Sequence, residues 1–479
     1  MIKHTKLKPS YIQAKRRTKE EVKILTDEYI MTNELKKLGL GKKYHIITYG
    51  CQGNVRDSET ISAILEDMSF VNTENMEDAD LILLNTCAIR ENAHNKVFGM
   101  LGRIKHLKET KPEIITILCG CMAQEESVVN EIEKDYKWMD VVFGTHNIQN
   151  LPKLLSEAMD SNELIIEVFS KEGDIIENLP VKRDNKYKAF VNIMYGCDKF
   201  CTYCIVPFTR GKQRSRKEED ILKEVNDLIK NGYKEVTLLG QNVNAYGKDL
   251  SDGSSMDKLL EDVAKTGIER VRFVTSHPWD FTDEMIDIIA KYPNIMPYIH
   301  LPLQSGSNEI LKLMGRRYTK ESYLALAKKI REKIPNASIT TDIIVGFPNE
   351  TEEDFNETLK VVDEVKYDGA FTFIYSPREN TPAAKMKDSI DLKTKQERLY
   401  KLNELVNKYS NESNNKLLDK VVPVLIEGPS TKGDNIYSGY TDTMKLVNVK
   451  CDKEDLGKII NVKITDAKSW SLNGEKVNE

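Results

Sequence analysis

Long apolar runs are missing from this 479-residue sequence. None approaches the roughly 18 residues needed to cross a bilayer, which excludes a membrane-spanning helix. The first residues, Met1-Ile2-Lys3-His4-Thr5-Lys6, lead into no apolar stretch followed by small residues. No secretory signal is therefore expected, and the chain reads as cytoplasmic with no membrane partner. An excess of one charge sign is lacking too. The 70 Lys+Arg stand against 75 Asp+Glu, for a net charge of −5. That balance excludes a protein that coats nucleic acid through bulk positive charge, but it leaves room for a local basic site. The Cys density of a small secreted scaffold is also absent, since eight cysteines are spread along the chain. What remains is a globular composition, 40% hydrophobic and 30% charged. At about 150 residues per domain it is enough for about three domains.

The cysteines stand at 51, 87, 119, 121, 197, 201, 204 and 451, and Cys197, Cys201 and Cys204 form a C-x3-C-x2-C cluster. Thiolates this close can hold zinc or an iron–sulfur cluster. Structural zinc wants a fourth ligand nearby, and the nearest histidines in sequence are His146 and His277. Three thiolates on a four-iron cluster instead leave one iron open to bind a small molecule. The spacing, with Tyr203 in the aromatic position before the last Cys, resembles the radical S-adenosylmethionine (SAM) superfamily. The resemblance implies that the open iron chelates SAM. It further implies that the reduced cluster splits SAM into methionine and a 5′-deoxyadenosyl radical.

Apolar, β-branched runs recur after residue 183 at strand–helix spacing: Lys188–Met194, Glu235–Leu239, Arg270–Thr275, Met296–Leu301, Ser338–Val345 and Gly369–Tyr375. Helical patterns follow them, as over Glu218–Lys230, Tyr323–Ile334 and Thr351–Val365. Six such units predict a parallel sheet curling into a partial (β/α)6 barrel over 183–413, with its site at the carboxyl ends of the strands. Turn residues there are Gln241, Ser276, Gln304, Ser305 and Gly346, and the resemblance implies that they hold SAM together with Tyr203. His277 and His300 read as hydrogen-bonded structural residues in preference to metal ligands.

Residues 42–160 predict a separate parallel α/β domain, with strands Tyr44–Thr48, Leu81–Leu84, Ile115–Leu118 and Val141–Phe143. Cys51, Cys87 and Cys121 each follow one of the first three strands, so they should meet at one sheet edge. Cys119 competes with Cys121 for the third place, and periodicity favours Cys121 modestly because it follows Gly120 in the turn. Cys451 has no partner and reads as structural.

Thr48-Tyr49-Gly50-Cys51-Gln52, Asn54, Asp57-Ser58-Glu59, Asn85-Thr86-Cys87-Ala88-Ile89-Arg90-Glu91 and Gly120-Cys121-Met122-Ala123-Gln124 resemble the radical SAM methylthiotransferase family. So do His300-Leu301-Pro302-Leu303-Gln304-Ser305-Gly306-Ser307 and Met314-Gly315-Arg316-Arg317-Tyr318, and the resemblance runs over about residues 42–479. It implies that Cys51, Cys87 and Cys121 hold an auxiliary [4Fe-4S] cluster, and it selects Cys121 over Cys119. Within the family, Tyr-Gly-Cys-Gln and Asn-Thr-Cys-Ala-Ile-Arg resemble the MiaB-type branch, which acts on N(6)-dimethylallyladenosine in tRNA. The implied activity is methylthiolation of adenine carbon 2 at position 37, with one SAM as methyl donor and a second as radical source. The implied partners are the tRNA anticodon stem-loop and a low-potential electron donor such as flavodoxin or ferredoxin, and the expected state is a monomer. Gly53 departs from the usual Met, and Asn380 from the usual Gly before Thr381-Pro382. The same chemistry on threonylcarbamoyl-adenosine or on a ribosomal-protein aspartate stays open, as does a non-catalytic metal-stabilised RNA-binding protein.

From Lys416 short strands alternate with turns: Val421–Glu427, Asn435–Thr441, Lys445–Lys450 and Lys458–Ile464. They predict a small antiparallel β-barrel over 416–479, resembling a TRAM domain, an RNA-binding module, with Tyr440 where Arg is usual. Ten Lys balance ten Asp+Glu there, so the barrel is not basic on average. Residues 1–41 read as a solvated, Lys-rich extension. Arg210, Lys212, Arg214, Arg216 and Lys217 put five cations in eight residues. With Arg316 and Arg317 they are expected to contact RNA phosphates, Arg210, Arg214 and Arg216 foremost.

Overall fold

The structure is a computed structural model that describes residues 6–15, 23–25, 29–88, 91–161, 163–171, 173–433 and 435–477. Met1–Thr5, Ile89 and Arg90, which figure in the sequence reading, lie outside the described residues. The chain forms two compact units. The first comprises Met1–Asp184, Met194–Phe200 and Cys204–Arg216; the second comprises Asn185–Ile193, Cys201–Tyr203 and Lys217–Glu479. Among the described residues no helix is long and apolar enough to cross a membrane.

The first unit is built on a seven-stranded sheet, parallel throughout. Its spatial order is Lys6–Leu7, Ile165–Glu167, Val141–Phe143, Ile115–Gly120, Leu81–Thr86, Lys43–Tyr49, Val71–Asn72. Every residue of Leu81–Thr86 and Ile115–Gly120 is buried, as a parallel sheet covered on both faces requires. The two-residue period divides them cleanly. Ile82, Leu84 and Leu118 join one core with Val97, Leu101 and Ile132. Leu81, Leu83, Ile117 and Cys119 join the opposite core with Ile64, Leu65 and Leu155. The expected solvated extension is corrected in part. Lys6–Leu7 supplies an edge strand beside Ile165–Glu167, Ile24–Leu25 pairs with Ile175–Ile176, and Tyr11 is buried.

The second unit carries six parallel strands in sequence order. Lys188–Asn192, Glu235–Leu239 and Arg270–Phe273 form one sheet; Tyr298–His300, Ser338–Val345 and Gly369–Ile374 form the other. A parallel bridge, Val271 to Ile295, links the two into one curved array, with Met296 N donating to the Val271 carbonyl at 2.9 Å. Helix Glu218–Lys230 falls as predicted. The helix expected from Tyr323 starts earlier, at Lys320, because Thr319 and Ser322 form a reciprocal capping box.

After helix Leu392–Asn415, five strands close a barrel in the order Val421–Pro429, Ile436–Thr441, Leu446–Lys450, Leu472–Lys476, Ile459–Ala467. It is not antiparallel throughout, since Leu446–Lys450 and Leu472–Lys476 pair in parallel. Leu472–Lys476 is the strand the sequence did not announce, because only Leu472 in it is buried. Within this unit Arg270 and Arg272 reach the barrel's main chain. Arg270 donates to the carbonyls of Tyr440 (2.9 Å) and Pro423 (3.1 Å), and Arg272 to those of Asp442 and Thr441, both at 2.7 Å.

Candidate active site

In the first unit Cys51, Cys87 and Cys121 follow three adjacent strands: Lys43–Tyr49, Leu81–Thr86 and Ile115–Gly120. Two buried asparagines tie the strand ends. Asn54 Nδ2 donates to Asn85 Oδ1 (3.1 Å) and to the Thr86 carbonyl (3.3 Å), while Asn85 Nδ2 donates to the Asn54 carbonyl (2.8 Å) and Ser58 Oγ (2.9 Å). Asn54 Oδ1 accepts from the Cys51 backbone at 3.3 Å, and Cys87 N donates to the Tyr49 carbonyl at 2.8 Å. Gly120 sits at φ 91°, and a Cβ there would fall 2.4 Å from Asn85 Oδ1 and 2.6 Å from the Thr86 carbonyl. Only glycine lets the third strand close against this pair before Cys121.

The electrostatics of the three thiols are unequal. A hydrogen bond from Cys87 lowers the Cys51 pKa; burial opposes this, and the Arg210 charge helps it. Burial raises the Cys121 thiol, with Arg210 pulling the other way. Arg210 Nε donates to Cys121 Sγ at 3.2 Å, and its Nη2 donates to Asp57 Oδ2 at 2.6 Å. Cys119 faces the opposite core, and burial holds it protonated. Among the described residues no three Cys, His, Asp or Glu converge tightly enough for a single metal ion. A four-iron cluster asks for something different: thiolates spread over separate irons. Three thiols gathered at one sheet edge beside a buried cation fit that need.

Cys197 and Cys204 lie in the first unit. Cys197 N donates to the Gly211 carbonyl at 3.1 Å, and its Sγ accepts from Lys199 N at 3.4 Å. Gly196, at φ 68°, permits this approach, since a Cβ would lie 2.0 Å from the Lys212 carbonyl. The segment after Cys204 packs onto the three-thiol edge, where Ile205 and Phe208 cluster with Cys121, Ala88 and Tyr11. Cys201 lies in the second unit. Its neighbour Thr202 donates N–H to the Met314 carbonyl (2.9 Å) and Oγ1 to that of Leu313 (2.8 Å), and accepts from Ala383 N (2.9 Å).

The carboxyl ends of the second unit's strands carry buried polar atoms without partners: Asn242 Oδ1, Ser276 Oγ and the Tyr375 hydroxyl. Backbone strain gathers there as well, with Thr275 and Gln304 both at φ 70°. Orphan polar atoms at three strand ends fit a polar ligand such as SAM. Ser276 and Gln304 are thus placed at this rim, Gln241 follows its strand, and Tyr203 packs edge-on against Phe347 at 6.5 Å. Two expected SAM contacts are instead occupied internally. Ser305 Oγ meets Thr358 Oγ1 (3.4 Å) and accepts from Ser307 N (3.2 Å), and Gly346 N donates to Glu350 Oε2 (2.6 Å). Asn242 adjoins Gln241 in the turn after Glu235–Leu239, and Tyr375, expected as the last residue of its strand, lies one residue past it because the strand ends at Ile374. His300 is held by Thr340 and Asp342, and His277 Nδ1 accepts from Trp279 N, in keeping with structural roles.

Comparison with known proteins bears on the whole chain. Residues 43–144 match "Uncharacterized protein family UPF0004", 191–362 the "Radical SAM superfamily" and 417–477 the "TRAM domain". A protein of Halalkalibacterium halodurans named tRNA-2-methylthio-N(6)-dimethylallyladenosine synthase is 57% identical over 470 residues, covering 98% of this chain and 87% of that one. Its Bacillus subtilis namesake is 56% identical over 472 residues, covering 98% and 92%. The chain belongs to the tRNA-2-methylthio-N(6)-dimethylallyladenosine synthase family. As a radical SAM protein, a member of this synthase family uses SAM and a [4Fe-4S] cluster. The solved radical SAM methyltransferase TsrM from Kitasatospora setae shares the fold, at TM-score 0.50 and 13% identity over 72% of this chain and 77% of that one.

For this synthase family member the basic run needs correction. Arg210, Arg214 and Arg216 are buried, as is Arg316. Arg210 is spent on Asp57. Arg216 forms a two-pronged pair with Glu177 (2.6 and 2.7 Å), and Arg214 donates to the Gly173 and Arg210 carbonyls (2.9 and 3.2 Å). Arg316 donates to Cys201, Tyr318 and the Pro302 carbonyl. Guanidiniums committed inward do not meet phosphates. Arg317 differs: it is exposed, with its guanidinium 4.9 Å from the ring centre of the half-exposed Trp279. The two departures near the motifs are also accounted for. Asn380 sits at φ 65°, a region Asn tolerates better than most residues, and a Cβ at Gly53 would make ordinary contacts with Cys51 and Arg210.

Proposed function

We propose that this chain is a radical SAM methylthiotransferase that adds a methylthio group to carbon 2 of N(6)-dimethylallyladenosine at position 37 of tRNA. Cys197, Cys201 and Cys204 would hold the SAM-binding [4Fe-4S] cluster, and Cys51, Cys87 and Cys121 a second one. With SAM bound as methyl donor and radical source, these groups would supply the radical that breaks an unactivated aromatic C–H bond, the sulfur, and the methyl group. The chain's own residues do the rest. Asn54 and Asn85 hold Cys51 and Cys87 at the sheet edge. Arg210 keeps a positive charge on Cys121, Thr202 fixes the loop at Cys201, and Asn242, Ser276 and Tyr375 offer unspent polar atoms to SAM. Gln241, Gln304 and Tyr203 line the same strand ends, and Arg317 over Trp279 offers an aromatic and cationic surface to the tRNA anticodon stem-loop.

The observation that carries this reading is the packing of Ile205, Phe208 and Arg210 on Cys121. The segment that begins with the last cysteine of one set is thereby built onto the other set. The namesakes at 56–57% identity support the substrate. The reading extends to a cytoplasmic monomer fed by a low-potential electron donor such as flavodoxin or ferredoxin.

Mass spectrometry of tRNA nucleosides from a deletion strain tests the substrate. The dimethylallyl methylthio nucleoside should disappear and return with the intact gene, and its persistence would overturn the assignment. Anaerobic reconstitution tests the cofactors, with about eight irons expected per chain from two four-iron clusters. Cys87→Ala should cleave SAM but yield no methylthio product.

A further inference from the structure

Two buried arginines rest on cysteine sulfurs, and they differ in what balances their charge. Arg210 sits on Cys121 with Asp57 at 2.6 Å, so a buried carboxylate cancels its charge. Arg316 has no such partner. Its Nη1 lies 3.4 Å from Cys201 Sγ, its Nε donates to the Tyr318 hydroxyl at 3.0 Å, and its Nη2 donates to the Pro302 carbonyl at 3.0 Å. Tyr318 also donates to the carbonyls of Pro302 (3.1 Å) and Leu303 (2.7 Å), which fixes its oxygen against Nε. Among the described residues no carboxylate is paired with Arg316, though only 8% of its surface is exposed.

A buried cation without a counter-ion is costly, and a fold keeps one where an anion arrives. Three thiolates and the iron–sulfur core they hold supply that anion. The rigid fork of Arg316, spent on two neutral oxygens, leaves its remaining edge for the sulfur. Charge and hydrogen bonds at ligand sulfurs are what set a cluster's reduction potential.

We propose that Arg316 is the fixed counter-cation of the cluster on Cys197, Cys201 and Cys204, and that it raises the potential of this cluster so that a one-electron donor can reduce it. This rests on Cys201 being a cluster ligand, as read above. The guanidinium favours the reduced form, which carries one more negative charge than the oxidised form. Arg316 is a positioning residue: it touches a ligand sulfur and no substrate atom.

The test is an anaerobic redox titration of the reconstituted full-length chain, followed by electron paramagnetic resonance. The signal scored is the one that Cys201→Ala abolishes. Arg316→Gln should load iron like the parent and shift the oxidised-to-reduced ratio at a fixed potential at least tenfold toward oxidised, about 59 mV for a one-electron couple. Arg316→Lys, which keeps the charge, should shift it less than threefold. A loaded Arg316→Gln with an unmoved midpoint overturns the proposal, and so does an Arg316→Lys that shifts as far as Arg316→Gln. If Arg316→Gln fails to load, Arg316→Lys decides: a midpoint near the parent's supports the proposal, and a tenfold shift overturns it. Failure of the underlying reading looks different, since Cys201→Ala would then leave iron content and every signal unchanged.

Discussion

Replacing Asn85 with alanine isolates what holds the three-thiol edge together. Asn85 is fully buried and makes three hydrogen bonds: two donated, to the Asn54 carbonyl and Ser58 Oγ, and one accepted from Asn54 Nδ2. Partial rescue is available, because Ser58 keeps Thr48 at 2.7 Å and Asn54 Nδ2 keeps the Thr86 carbonyl at 3.3 Å. At about 1 kcal/mol per bond the loss is about 3 kcal/mol. Against a stability of about 5–15 kcal/mol this leaves the apoprotein folded. In urea, with a slope of about 3 kcal/mol/M, the midpoint of the first unit's transition should fall by about 1 M. Iron content should fall toward half, because Cys51 and Cys87 lose their shared brace while the Cys197, Cys201 and Cys204 set does not. Asn85→Asp should be no better, since it turns an oxygen toward the Asn54 carbonyl. A midpoint shift below about 0.3 M, less than one hydrogen bond's worth, together with normal iron loading would refute the role given to this pair.

Cys119→Ala should retain full iron loading and methylthiolation whereas Cys121→Ala loses iron, because Cys119 faces the opposite core. Arg272→Met leaves Glu235 buried with Arg270 3.8 Å away as its remaining partner. The cost should be about 3 kcal/mol, read as faster proteolytic release of the C-terminal barrel with SAM cleavage retained. Burial pushes the Glu350 carboxyl up to about 7, against the pull of Gly346 N–H and Arg398. A raised carboxyl binds its proton more tightly folded than unfolded, so its contribution to stability is present in full below pH 4.5 and is lost as pH rises to about 7. The melting temperature of the parent should therefore fall relative to that of Glu350→Gln across this window, and parallel profiles would refute the assignment.

Much of the fold was legible because its strands are rich in apolar and β-branched residues. Glu235–Leu239, Ser338–Val345 and Val141–Phe143 match their expected bounds. The second and third cysteines of the N-terminal set were placed just beyond such runs, and they directly follow the observed strands, which run on to Thr86 and Gly120. The basic run misled for a physical reason. A charge is visible locally, but its partner need not be: Asp57 lies 153 residues from Arg210, and Glu177 lies 39 from Arg216. Leu472–Lys476 stayed hidden because a strand that closes a small barrel can have one buried side chain. Likewise Tyr11 gave no periodic signal, because its helix has five residues.

The grip of Arg270 and Arg272 on the barrel has a consequence for how this sequence can change over time. Their four acceptors are main-chain carbonyls of Pro423, Tyr440, Thr441 and Asp442. Every amino acid, proline included, presents that oxygen. The barrel's side chains can therefore drift, one substitution at a time, without loosening its attachment, so long as the strands keep their path. Tyr440 shows the two roles held apart: its ring lies 5.1 Å from Lys188 Nζ while its carbonyl receives Arg270. The barrel's outer surface can change without renegotiating the joint that carries it.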